Sequence, residues 1–263
     1  MQLEFCKYEA TGNDFVMIDH RDQKLSSLLT KEWIARISDR RLGVGGDGVI
    51  LIEKSDQYDF SMLYFNADGL AASMCGNGAR AATHFVHHHL NIKQTHYTFK
   101  TAKGVYSSQM LSEDEVKLKM SEVYDFERYK VDERSHYLYT GVPHLVVEMA
   151  HEESLDFAIE KVAPYYRYHA AFGSEGTNVN YVKIVSPQKL FVRTYERGVE
   201  AETLSCGTGV LASALVMAKK YLWSDFVDVE TKGGSLRVDF DFATEAYFLS
   251  GKARQVFSGI AKI

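Results

Sequence analysis

Met74-Cys75-Gly76-Asn77-Gly78-Ala79-Arg80-Ala81-Ala82 and Ser205-Cys206-Gly207-Thr208-Gly209-Val210-Leu211-Ala212-Ser213 follow one plan. Each has a cysteine, two glycines around a small polar residue, and then an apolar helical run. Glycines at a helix start bare its backbone amides, which bind anions and lower the pKa of a neighbouring thiol. One such phrase carries little weight. Two in one chain point to a pair of matched acid/base groups.

The repetition extends outward from the cysteines. Tyr64 and Tyr195 each lie eleven positions upstream, near the end of an alternating, strand-like run. Asn66-Ala67-Asp68-Gly69 fills the next loop in the first half, and Glu196-Arg197-Gly198 does so in the second. Gly48-Val49-Ile50-Leu51 corresponds to Asn178-Val179-Asn180-Tyr181, and Gly12-Asn13-Asp14-Phe15-Val16 to Gly141-Val142-Pro143-His144-Leu145. Downstream, Thr101-Ala102-Lys103-Gly104 is echoed by Thr231-Lys232-Gly233-Gly234. A period of about 130 residues is too long for a solenoid repeat, so the chain reads as a domain duplication. Two similar domains facing each other by a pseudo-twofold would bring both thiols to an interdomain cleft, a common place for a small-molecule site. A planar carbanion held there could lose a proton to one thiol and gain one from the other.

At 263 residues the chain fits two domains of ordinary size. The expected division is 1–120, completed by 252–263, and 121–251. An apolar fraction of 46% supports real cores, and a net charge of −5 gives no electrostatic case for nucleic acid. The chain opens on a plausible strand (Leu3, Phe5) without a basic leader, and its longest apolar helical stretch, Val210 to Ala218, is too short to span a bilayer. Three cysteines are unlike a secreted disulfide framework, so a reducing cytoplasm fits best. Expected partners are a small-molecule substrate, with no nucleic acid and no membrane. A homodimer is compatible with the sequence.

Val49–Glu53 with Phe60–Phe65, and Tyr181–Val185 with Leu190–Thr194, read as two hairpins feeding the loops before the cysteines. Thr30 is the expected N-cap of a helix through Trp33, Ile34 and Ile37 that ends near Gly43. Ser154 to Val162 reads as its counterpart, stopped by Pro164, and the charged stretch Tyr124 to Arg134 as the crossing between domains. Strands dominate, so the class is α+β rather than alternating βαβ.

Competing motifs carry less. Gly43-Val44-Gly45-Gly46-Asp47-Gly48 matches the dinucleotide-binding pattern, but it follows a helix and precedes a strand, the reverse of the required order. His84, His87, His88 and His89 lack a carboxylate or cysteine at a zinc spacing, and a solvated helix end accounts for them. Cys6, with no helix start beside it, reads as a small buried hydrophobe. Glu196-Arg197 stands just before a thiol, and Arg is the two-pronged partner of a carboxylate. No C-x-x-C occurs for a thiol–disulfide oxidoreductase, and an inert binding protein has no use for two thiols.

Thr11-Gly12-Asn13-Asp14-Phe15, Phe65-Asn66-Ala67-Asp68-Gly69, Met74 to Arg80, Tyr195-Glu196-Arg197-Gly198 and Glu202 to Gly209 resemble the diaminopimelate epimerase family. The resemblance runs over essentially the whole chain. It implies two pseudo-symmetric domains, each a strand-rich, mostly antiparallel barrel around a central helix, with the active site in the cleft between them. It further implies interconversion of LL- and meso-2,6-diaminopimelate without pyridoxal phosphate, metal or other cofactor, in lysine and peptidoglycan precursor biosynthesis. Carried over by motif, Cys75 and Cys206 are the catalytic thiols, with Glu196 and His144 near the reacting amine. The amides of Gly76, Asn77, Gly207 and Thr208 would hold the reacting carboxylate, while Asn13, Asn66, Asn178 and Arg197 read the ammonium and carboxylate groups. Val142 and Gly48 depart from members that carry Asn and Gln there. The alternative on the same scaffold is a racemase of proline, hydroxyproline or histidine type.

Overall fold

The computed structural model describes residues 2–72 and 74–262. The chain divides into two compact units, Met1–Leu118 with Gly251–Ile263, and Lys119–Ser250.

The first unit holds β1 (Gln2–Ala10), β2 (Asn13–Asp19), β3 (Gly48–Glu53), β4 (Phe60–Asn66), β5 (Ala71–Ala72), β6 (His96–Lys100), β7 (Val105–Met110) and most of β8 (Glu115–Met120). Its helices are α1 (Lys31–Ser38) and α2 (Gly76–His88). β1 pairs antiparallel with β2, and β2 runs parallel to β3 with Phe15 opposite Gly48. β3 and β4 form a hairpin, β4 runs parallel to β6, and β6 to β8 form a meander.

Successive side chains of a strand face opposite ways, and here both faces are covered. Val16, Ile18, Val49 and Leu51 pack with Ile34 and Ile37 of α1. On the other face, Ile50 and Met62 lie against Gly78 of α2. Two buried faces explain why these strands read as nearly continuous apolar runs. α2 touches β1, β2, β3, β4 and β7, so the strands wrap a central helix.

The second unit repeats the plan. It holds β9 (Val123–Tyr124), β10 (Ser135–Thr140), β11 (Pro143–Glu148), β12 (Asn178–Ser186), β13 (Lys189–Glu196), β14 (Ala201–Thr203), β15 (Phe226–Thr231), β16 (Gly234–Asp241) and most of β17 (Ala246–Lys252). Its helices are α3 (Ile159–Arg167) and α4 (Gly207–Tyr221). The last strand, β18 (Arg254–Lys262), returns to the first unit and pairs antiparallel with β1. β11 runs parallel to β12 with His144 opposite Asn178, as Phe15 is opposite Gly48. Leu145, Val147, Val179 and Tyr181 pack with Ile159 and Ala163 of α3. α4 is enclosed by β10, β11, β12, β13, β15 and β16. Even the turns correspond, since Thr101 Oγ1 donates to the Gly104 carbonyl at 3.1 Å and Thr231 Oγ1 to that of Gly234 at 2.8 Å.

Thr30 caps α1, its Oγ1 accepting from the Trp33 amide at 3.2 Å. The glycine-rich 43–48 segment turns out to finish that helix. The Val44 and Gly45 amides both donate to the Ile37 carbonyl and the Gly46 amide to that of Ser38, satisfying carbonyls a helix end leaves open. A Cβ on Gly43 would stand 2.1 Å from the Arg36 carbonyl oxygen, so only glycine fits there.

Three expectations need correction. The second-unit helix begins at Ile159, not Ser154, and runs past Pro164 to Arg167. Arg193 Nη1 takes the carbonyls of Leu155 and Phe157 at 2.7 and 2.9 Å, so these are not available to start a helix at Ser154. The stretch 124–134 is no crossing. Its Tyr129 and Val131 pack on the core of the second unit, and the division falls inside β8 and β17 instead. The histidine run is only partly a solvated end. His84 is buried beside Tyr8, and burial pulls its imidazole down to about 4.

Candidate active site

In each unit the cysteine is the N-cap of the central helix. Cys75 has extended backbone and its Sγ accepts from the Gly78 amide at 3.4 Å. Cys206 is likewise extended, with its Sγ 3.4 Å from Thr208 Oγ1. Each sulfur therefore stands at the positive end of a helix dipole, among amides left unpaired by the helix.

Around Cys75 the structure gathers Asn13, Asn77, Asp47 and Arg80. Cys75 Sγ donates to Asn13 Oδ1 at 3.5 Å, and Asn77 Nδ2 donates to the same oxygen at 3.4 Å. Asn13 Nδ2 donates to Asp47 Oδ2 at 2.6 Å. Arg80, fully buried, holds Asn77 Oδ1 and Thr11 Oγ1 through Nη2, both at 3.0 Å. Burial pulls that guanidinium down to about 10, so it stays charged at neutral pH, with the charges of Cys75 and Glu9 opposing the shift. The Asp47 loop is itself pinned. Burial alone would raise Asp14, but Arg40 and Lys7 hold its carboxyl well below the usual carboxylate range. Asn66 ends β4 with an exposed side chain, and the Ala67 amide ties its loop to the Asp47 carbonyl at 3.1 Å. Gly76 is buried as the first residue of α2.

Around Cys206 the arrangement differs. His144 Nε2 lies 2.9 Å from Thr208 Oγ1 and its Nδ1 lies 3.0 Å from Asn180 Nδ2. Burial pushes His144 down to about 3, with the charge of Arg197 acting in the same direction, so the imidazole is neutral. Thr140 Oγ1 donates to the Thr208 carbonyl at 2.9 Å, fixing the first turn of α4. Asn178 holds the next loop. Its Oδ1 accepts from the Arg197 amide at 2.8 Å and its Nδ2 donates to the Pro143 carbonyl at 2.9 Å. The Arg197 side chain stands 3.5 Å from the exposed Glu175 carboxylate. Glu196 is half-buried at the end of β13, where its carbonyl accepts from Glu200. Gly207 is buried at the start of α4.

Sequence reasoning missed Arg80, Asp47, Thr140 and Asn180. Asn180 had left a signal. Asn178-Val179-Asn180 puts two amides on one face of a strand whose other face is core, and a buried polar residue there needs a partner. Cys6 is buried as expected, its Sγ 3.3 Å from His89 Nδ1, and burial raises the thiol to about 11. Among the described residues no three His, Cys, Asp or Glu side chains group as metal ligands.

The two units make a duplicated fold in which each strand-wrapped central helix starts from a cysteine. A family model described as Diaminopimelate epimerase matches residues 5–125 and again 136–256. The diaminopimelate epimerase of Flavobacterium psychrophilum is 38% identical over 259 residues, covering 97% of this chain and 98% of the relative. That of Aquifex aeolicus is 38% identical over 273 residues, covering 98% and 97%. Among solved structures, a phenazine biosynthesis protein of the PhzF family from Bacillus anthracis covers all of both chains with a TM-score of 0.70 at 14% identity. A probable proline racemase from Agrobacterium radiobacter covers 99% of this chain and 92% of its own, with a TM-score of 0.69 at 14% identity. These two share the fold. The chain belongs to the diaminopimelate epimerase family, and the enzyme is an isomerase.

Proposed function

We propose that this enzyme interconverts LL- and meso-2,6-diaminopimelate by moving the α-proton between two cysteines, as a cytoplasmic step in lysine and peptidoglycan precursor biosynthesis. The observation that carries the reading is the cysteine N-cap repeated in both units, at Cys75 and Cys206. One sulfur, as thiolate, takes the α-proton from one face. The C–H electron pair delocalises into the carboxylate, and the other sulfur, as thiol, delivers its proton to the opposite face. One proton enters the enzyme and one leaves, so the two sulfurs exchange protonation states in each turnover.

A thiolate is a weak base for an amino-acid α-proton, so stabilising the developing enolate-like charge must do most of the work. Amides of Gly76, Asn77, Gly207 and Thr208, at two helix starts, are suited to hold the carboxylate where that charge appears. Because they are fixed by the helices, they need no reorganisation during reaction. Asn13, Asn66, Asn178 and Arg197 would take the remaining ammonium and carboxylate groups, with Glu196 and His144 setting the polarity beside the amine. A substrate with an amino-acid group at each end suits this polar set better than a substrate with one.

The test is incubation of pure protein with LL-diaminopimelate in heavy water, followed by separation of the stereoisomers. The meso product should carry deuterium at the inverted carbon while unreacted substrate keeps protium. Cys75→Ala and Cys206→Ala should each abolish epimerisation. Substantial turnover in either variant would refute the two-thiol reading.

A further inference from the structure

The duplication supplies an internal control on the surroundings of the two thiols. The parallel strand pairs match Phe15 and Gly48 with His144 and Asn178, so Ile50 corresponds to Asn180. The helix starts give the same match. A Cβ on Gly78 would meet Ile50 Cδ1 at 2.9 Å, and one on Gly209 would meet Asn180 Oδ1 at 2.2 Å. Beneath α2 these positions are therefore apolar, and beneath α4 they are an amide and an imidazole. Asn180 and His144 are both fully buried, and hydrogen bonds from every side offset the cost of burying them.

The direction of those bonds can be read. Asn180 Nδ2 lies 3.2 Å from the Leu145 carbonyl, which only accepts, while Thr194 Oγ1 donates to Asn180 Oδ1 at 2.9 Å. The NH2 end of Asn180 therefore faces His144 Nδ1, and that nitrogen must be the acceptor. In a neutral imidazole the proton then sits on Nε2 and is given to Thr208 Oγ1. The Thr208 hydroxyl hydrogen is left to point at Cys206 Sγ, 3.4 Å away.

The polarity around Cys75 runs the other way. Arg80, which only donates, turns Asn77 Oδ1 towards itself, and the Asp47 carboxylate, which only accepts, turns Asn13 Nδ2 towards itself. Asn13 must present its oxygen to Cys75, and a sulfur 3.5 Å from that oxygen is a donor.

We propose that Asn180 is a positioning residue which fixes the His144 tautomer and, through Thr208, makes Cys206 the resting thiolate, while Cys75 rests as the thiol. The proposal rests on the two-thiol reading above. Arg80 and the Gly78 amide favour ionisation of Cys75, and they stabilise its thiolate once its proton has passed to the substrate. At rest, the Asn13 oxygen opposes that state.

Brief labelling of the free enzyme with iodoacetamide at neutral pH, with peptide mapping, reads the resting thiolate directly. Exposure alone favours Cys75, since Cys206 is only 8% exposed and Cys75 is half-buried. Cys206 should nevertheless react first. Thr208→Val should slow Cys206 labelling by about tenfold, the size expected for one lost charge-assisted hydrogen bond, and Thr208→Ser should restore it. The 15N spectrum of the His144 imidazole, assigned against His144→Gln, should show the Nε2–H tautomer, and Asn180→Asp should convert it to Nδ1–H. Faster or equal labelling of Cys75, an unchanged Cys206 rate in Thr208→Val, or an Nδ1–H imidazole in the parent enzyme would each overturn the assignment. None of these measurements needs turnover, so their failure is distinct from epimerisation surviving in a cysteine-to-alanine variant.

Discussion

His144 and His84 are buried bases held neutral, at about 3 and about 4 against an ordinary 6.5. A lowered base binds no proton when folded but takes one when unfolded, so stability rises with pH through that window. The folding stability should therefore fall as pH is lowered from 6.5 towards 4, mostly before ordinary carboxylates titrate. His84→Leu should flatten that slope in thermal unfolding followed against pH, and an unchanged slope would show that His84 is not the group taking up protons. Arg197 makes a different kind of prediction. Its backbone is fixed by Asn178, and in the proposed reaction its guanidinium would act as a fork on a substrate carboxylate. Arg197→Lys keeps the charge and loses the second prong, worth roughly 1.5–3 kcal/mol, or about a ten- to hundredfold fall in kcat/KM. Parent-like kinetics would mean that the side chain faces solvent during catalysis.

The helices and hairpins differ in how far the sequence announced them. α1 was legible because its cap and its apolar spacing are local, although it ends at Ser38 rather than near Gly43, where the glycine-rich segment folds back onto its last carbonyls. The two hairpins before the cysteines were legible because they share alternation and turn residues. α3 was not, since its start is set by Arg193 reaching from β13 to two carbonyls, a contact no local window contains. The cysteine phrases located both helix starts, yet the groups beneath them depend on which strands lie opposite, as with Asn180 of β12 and Ile50 of β3. α4 carries a further local feature. Its C-cap, Leu222, adopts a left-handed φ of 54° with its side chain 90% exposed, so it suffers the Cβ clash without compensating packing. Leu222→Gly should stabilise the protein by about 1 kcal/mol, a rise of a few degrees in Tm. A lower Tm would show that the leucine side chain has a contact worth more than the backbone strain.

At the level of the whole chain, the second unit is one continuous segment, Lys119–Ser250, set between the two pieces of the first. β1 pairs with β18 from Gln2↔Lys262 to Glu9↔Arg254. Cutting the chain after Lys252 should leave backbone protection from hydrogen exchange in 119–250 and strip much of it from β1 and β2. Equal loss in both units would show that they unfold together. The same interruption has a temporal side. A ribosome releases residues in order at roughly 5–20 per second, so the whole Lys119–Ser250 segment emerges before β18. During those seconds β1 has β2 on one side and an unpaired edge on the other, a template for pairing with another nascent chain. The inserted half can fold at once while the half begun first must wait, with that edge of β1 open to chaperones and to misassembly.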